Sequence, residues 1–235
     1  MARRLTRQNN MTMDAYPRLW QGIDRLCQGK SWHIVGSSAI VRDEEAYYFE
    51  ITKPKFWAED EDGHTLAGIG GIGGSIEGGE NEITCLRREA LEELGVDVQV
   101  LSSSETHLLF SEEWAGKVNL FPADLPAPYL CTIGPKKTRL AAGLPYDYLC
   151  IVTFEALVMG KPKAEDLYGL LRIKLGAIED VLGPDTIPLS IVLRHPDVEL
   201  HLNGPLPYNA ILRPLLTARS FQLLIRESRM TRLDE

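Results

Sequence analysis

No C-x-x-C pair occurs among the four cysteines of this 235-residue chain, Cys27, Cys85, Cys131 and Cys150. That scatter excludes a cysteine-built zinc site and a disulfide framework, and reads instead as reduced, mostly buried thiols of a cytoplasmic protein. Positive charge is also short. The 25 lysines and arginines face 33 acidic residues, for a net charge of −8, which argues against a broad electrostatic grip on nucleic acid. No apolar run is long enough for a signal peptide or a membrane span, so the basic opening "MARRLTR" is expected to be a flexible tail over residues 1–10. Internal repeats and low-complexity linkers are missing. The five histidines form no constellation, and His33 and His107 fall in predicted strands, where structural roles are the ordinary ones.

What remains is ordinary globular material. A hydrophobic content of 44% over this length can bury a full core, and one domain over residues 1–235 is the simplest division. "MDAYPRLWQGIDRLCQG" carries Leu19, Ile23 and Leu26 at helical spacing, with a glycine suited to the C-terminal cap. "WHIVGSSAIVR" and "AYYFEIT" read as a strand pair turning at Asp43 to Glu45. "VDVQVLSSSETHLLF" reads as one or two strands, and "YDYLCIVTFEALVMG" as a long buried one. Residues 111–146, rich in proline and without periodicity, read as a long insertion loop that selects substrate. "EDLYGLLRIKLGAIEDVL" and "NAILRPLLTARSFQLLIRE" both read as helical, the second with Ile211, Leu215, Leu216 and Leu223 turned to the core. The fold class expected from this order is α/β with helices at both ends.

The unusual stretch is "GIGGSIEGGENEITCLRREALEELGV". Its helix is predicted from Asn81 to Leu94, closed by Gly95, with Ile83, Leu86, Ala90 and Leu94 as the buried face. Glu89, Glu92 and Glu93 then share another face at i, i+3 and i+4, where like charges repel by about a few tenths of a kcal/mol per exposed pair. A divalent cation removes that conflict, because carboxylate oxygens are the hard ligands magnesium prefers. The glycines at 70, 71, 73, 74, 78 and 79 let backbone approach closely, offering carbonyls to a metal or amides to a phosphate. Beyond this stretch, Lys136, Lys137 and Arg139 are candidates to touch a terminal phosphate, and Trp114, Phe121 or Tyr129 to stack on a base.

Gly74, Glu80, Arg88, Glu89, Glu92, Glu93, Gly95 and Val96 fit the pattern G-x5-E-x7-R-E-U-x-E-E-x-G-U, with Ala90 as the first aliphatic position. In this the chain resembles the Nudix hydrolases; seven fixed matches arise by chance about once in 10^8 starting points. The resemblance implies a Nudix-type α/β/α sandwich with a mixed sheet. It also implies hydrolysis of a diphosphate linkage in a nucleoside diphosphate joined to another moiety. Magnesium or manganese would be held by Glu89, Glu92, Glu93 and the carbonyl of Gly73. Arg88 would orient a carboxylate, Gly74 would face the substrate, and Glu89 would serve as the general base. A further carboxylate from beyond the signature is also implied, and Glu165 or Asp166 in "GKPKAEDLYG" is placed to supply it. Family members are often dimers, so a homodimer is a possibility, with no membrane partner. The marker residues of two substrate branches, proline or tyrosine, are replaced by Ser111, Glu112 and Glu113, so neither branch is supported. The competing reading is a regulatory module without hydrolysis, using the arginines at 213, 219, 226, 229 and 232 on a partner; the complete set of glutamates favours the enzyme.

Overall fold

The two longest strands lie side by side at the centre of the molecule, in a computed structural model describing residues 15–136 and 144–233. The expected tail at 1–10 lies outside those residues. In chain order the elements are α1 (Pro17–Cys27), β1 (Trp32–Arg42), β2 (Ala46–Ile51), β3 (Ala58–Glu59), β4 (Thr65–Gly70), β5 (Ile72–Ser75) and α2 (Glu82–Leu94). There follow β6 (Val98–Leu101), β7 (Glu105–Phe110), β8 (Glu113–Asn119), β9 (Leu130–Pro135), β10 (Tyr148–Val158) and β11 (Gly169–Lys174). The chain ends through α3 (Ile178–Leu182), β12 (Ile187–Pro188), α4 (Leu189–Val192), β13 (Val198–Leu202), β14 (Ile211–Pro214) and α5 (Leu216–Leu233).

β1 and β10 pair in parallel from Trp32 beside Tyr148 to Arg42 beside Leu157. Around them the order runs β12-β14-β4-β2-β1-β10-β9-β7-β8, with β5 added to β1, β6 to β10 and β11 to β2. Parallel pairs (β1/β10, β4/β14, β7/β9) mix with antiparallel ones. Alternation along each strand sends side chains to two cores. One face packs Ile34, Ala39, Val41 and Phe154 under Leu19 and Ile23 of α1 and Leu86, Ala90 and Leu94 of α2. The other packs Ile40, Phe49, Ile51 and Ile173 under Val181, Val192, Ala218 and Phe221 of α3, α4 and α5. The architecture is therefore an α/β/α sandwich on a mixed sheet, with a helix from each end of the chain. Cys27, Cys85, Cys131 and Cys150 are buried free thiols. Among the described residues, no helix is long and apolar enough to cross a membrane.

Three readings from sequence need correction. The run at 165–182 is strand β11 followed by the short α3, because Leu170 fills one core while Leu171 and Ile173 fill the other. Arg172 and Lys174 share the face of Leu170, and with only six residues the alternation is short enough for the flanking leucines to pass for helical spacing. In "NAILRPLLTARS" the helix begins only after Pro214; Ile211 and Leu212 form β14 beside Leu66 and Ala67. Proline biases its predecessor away from helix, and Leu216 is exposed while Ala218 and Phe221 face the core. Residues 111–146, read as a loop, hold β8 and β9. β8 ends the sheet with largely exposed side chains, so it carries little apolar pattern.

Candidate active site

Helix α2 is fixed at both ends before it reaches the site. The Asn81 side chain accepts from the amides of Ile83 and Thr84 at 3.0 and 2.9 Å, and Thr84 Oγ1 accepts from the Asn81 amide at 2.9 Å. Gly95 closes the other end at φ 67°. Burial of Cys85, Leu86, Ala90 and Leu94 then sets the rotation of the helix. Glu89 and Glu93 are turned toward β4 and β5, the glycine strands.

The glycine strands receive those carboxylates closely. Gly73 N–H donates to Glu93 Oε2 at 3.1 Å. A Cβ on Gly74 would stand 2.2 Å from Glu89 Oε1, so only glycine leaves room for that carboxylate. A third carboxylate comes from outside the signature: Glu50 of β2 lies over Gly70, where a Cβ would stand 2.3 Å from its Oε1. Phe49 and Ile51 face the opposite core, so alternation turns Glu50 to the side of α2. A lone acid in the otherwise apolar "AYYFEI" was the signal available in the sequence.

Arg88 braces the group. Its Nε and one terminal nitrogen donate to Glu80 at 2.7 and 3.1 Å, and the other terminal nitrogen to Glu89 at 2.9 Å and Glu92 at 3.1 Å. The Glu80 bond is the chief reason that the guanidinium is held even further into its charged form. Glu92 is about half exposed, whereas Glu89 is mostly covered.

Crowding shows in the acid strengths. Burial pushes the Glu93 carboxyl up to about 8, Glu50 and Glu89 add to it, and the Gly73 amide and Lys53 act the other way. Burial likewise pushes Glu50 up to about 7, opposed by Lys53 and reinforced by Glu89. Carboxyls gathered over the glycine backbone, two of them resisting ionisation near neutrality because of burial and of one another's charge, are the hard oxygen donors that suit a divalent cation of the magnesium or manganese kind. A pH test follows. Both carboxyls bind protons more tightly folded than unfolded, so in a chelator stability is greatest near pH 5 and falls as pH rises toward about 8. Thermal melts should show that decline, Glu50→Gln should flatten it, and Mn2+ should restore stability at the alkaline end. A decline unchanged in the variant would remove Glu50 from the cluster.

The other expected residues divide. Glu165 is exposed and lies against Gly95 at the end of α2, with its amide donating to the Glu93 carbonyl at 3.0 Å. Lys136 is not brought to the carboxylates. Its ammonium is taken by the Leu144 carbonyl, and its amide bonds Asp147, which bonds Ser31, while Gly73 stands opposite Ser38. Seven strand positions amount to roughly 20 Å. Lys137 and Arg139 lie outside the described residues. In the β3–β4 turn Asp60, Asp62 and His64 gather within 4.8 Å of one another, but Asp60 there accepts from the amides of Asp62 and His64 and so closes the hairpin.

No protein-family model matches the chain, and no curated protein does. The solved structures similar to it include a hydrolase of the Nudix family from Clostridium perfringens, 13% identical, over 65% of this chain and 86% of that one, at a TM-score of 0.40. A Nudix hydrolase from Nitrosomonas europaea is 11% identical over 86% of this chain and 73% of its own, at 0.35. MutT from Aliivibrio salmonicida and Vibrio cholerae is 14% identical over 63% and 84%, at 0.32. These names belong to the family that residues 74–96 resemble. Function is carried by the site itself.

Proposed function

We propose that the protein is a metal-dependent hydrolase that cleaves the diphosphate linkage of a nucleoside diphosphate joined to a second moiety. The observation that carries this is that Glu50, Glu89 and Glu93 each lie against the glycine backbone of β4 and β5, at Gly70, Gly74 and Gly73, beside the Arg88 brace. Glu89, Glu92, Glu93 and the Gly73 carbonyl would hold Mg2+ or Mn2+, with Glu50 completing the negative surround. The cation, when held there, supplies charge neutralisation for the diphosphate and makes water more acidic.

The chain's own residues do the rest. Arg88 holds Glu89 in place, so that its free oxygen can take the proton of the attacking water. The bare backbone at Gly74 leaves its room to the Glu89 carboxylate, so that Gly74 would face the substrate through that side chain. Glu165, tied through its amide to the carbonyl of Glu93, is the alternative proton acceptor, and separate glutamine variants at 89 and 165 distinguish the two. The decisive experiment incubates the protein with a panel of nucleoside diphosphate derivatives in Mg2+ and in Mn2+ and identifies products by mass. Cleavage between the two phosphorus atoms is expected with at least one of them. Binding without any product under either cation would make the protein a ligand-sensing module.

A further inference from the structure

An open cleft lies beyond the end of α2, between the chain that leaves β2 and the chain that returns after β10. The chain after β10 returns across the end of α2, where the amides of Glu165 and Asp166 donate to the carbonyls of Glu93 and Glu92 at 3.0 and 3.2 Å. Facing it, residues 52–57 leave β2, the strand that carries Glu50. The space between is about 410 Å³, and its charged and polar walls are Lys53, Lys55, Glu165, Asp166, Tyr168 and Asn203. That volume lies in the range of small-molecule sites.

The cleft communicates with the cluster through Lys53, whose charge acts on both Glu50 and Glu93. The Lys53 ammonium pairs with Asp166 at 3.0 Å, with 42% and 74% of the two side chains exposed. An ion pair so open to water is worth about 0–1 kcal/mol, so a better anion displaces it readily. Lys55 lies over the Phe56 ring at 4.9 Å and has no ion pair among the described residues. One wall is rigid: the Tyr168 hydroxyl donates to the Pro205 carbonyl, and its ring meets Trp57 edge-on at 5.2 Å. Asn203 pins the returning segment through the carbonyls of Ala164 and Leu167 at 2.7 and 2.8 Å.

We propose that this cleft receives the moiety beyond the scissile diphosphate, that the moiety is anionic and phosphate-bearing, and that its phosphate takes Lys53 from Asp166. The proposal rests on the hydrolase reading for its substrate class, so its test uses analogues whose α,β linkage cannot be cleaved, with the nucleotide recovered after each titration checked by mass for an intact β,γ linkage. Binding of α,β-methylene ATP and α,β-methylene ADP, which differ by the distal phosphate, is measured by calorimetry in Mg2+. The intact protein should prefer the triphosphate analogue by about tenfold or more, the size of one charge-assisted contact. Lys53→Met should erase that preference and Lys53→Arg restore most of it. Asp166→Asn, which removes the competitor, should tighten the triphosphate analogue by about threefold.

Equal affinity for the two analogues overturns the proposal, as does a preference that survives Lys53→Met, a weaker Asp166→Asn complex, or no binding of either analogue. Mn2+ affinity measured by electron paramagnetic resonance on the same variants separates a lost cleft contact from a damaged cation site. Turnover of other derivatives with no distal preference would sink the cleft and leave the hydrolase standing. A distal preference without turnover would do the reverse.

Discussion

Glu93→Gln should lower kcat by about two to four orders of magnitude while making the cation-free protein more stable. The two effects have one cause. Glutamine keeps an oxygen to accept from the Gly73 amide, now at 3.1 Å, so the glycine strand and α2 stay joined. What goes is a carboxyl that, without a cation, must either keep a proton near neutrality or ionise beside Glu50 and Glu89, at a cost in stability, and whose charge when ionised attracts the cation. Turnover, Mn2+ affinity and melting temperature in a chelator, read on one preparation, should therefore fall, fall and rise. Activity within tenfold of the parent would remove Glu93 from the machinery. Lower stability in chelator would mean that the carboxylate is structural.

Gly73→Ala should destabilise the fold by about 3 kcal/mol or more. Gly73 sits at φ 142°, where an L side chain is strained, and its Cβ would stand 2.3 Å from the Ser37 carbonyl oxygen and 2.5 Å from Ser38 Cα. Both obstacles are backbone of β1, the central strand, which cannot step aside without breaking its pairing with β10. Urea unfolding should show the loss as a shifted midpoint. Gly78→Ala is the control: nothing lies within 4 Å of its Cβ, and a change within about 0.5 kcal/mol is expected. If the two variants unfold alike, β5 is not clamped to β1 as described.

The parts of this site that could be read in the sequence are those whose cause is local. Asn81, Thr84 and Gly95 cap their own helix, and the spacing of Leu86, Ala90 and Leu94 fixes which carboxylates share a face. β1 and β2 were legible for the same reason, since Asp43 makes the turn between them by accepting from the amides of Glu45 and Ala46. Glu50 was not, because its place over Gly70 depends on β2 pairing with β4. Lys53 was hidden in the same way, its partner Asp166 lying 113 positions along the chain. Lys136 misled for the opposite reason: a basic residue looks like a phosphate contact until the pairing of β9 with β10 carries it to the other end of the strand.

The parallel pairs also govern when the site can exist during folding. A parallel partner cannot be reached through a tight turn, and β1 waits for β10 while β4 waits for β14, at residues 211–214. The capped α2 can flicker into shape early on its own, yet the floor beneath its glutamates is assembled only when distant stretches of chain have met. Such long-range closure is slow. A nascent or partly unfolded chain would therefore carry a transient signature helix and no assembled carboxylate site, and recovery of Mn2+ binding on refolding should trail recovery of helical signal.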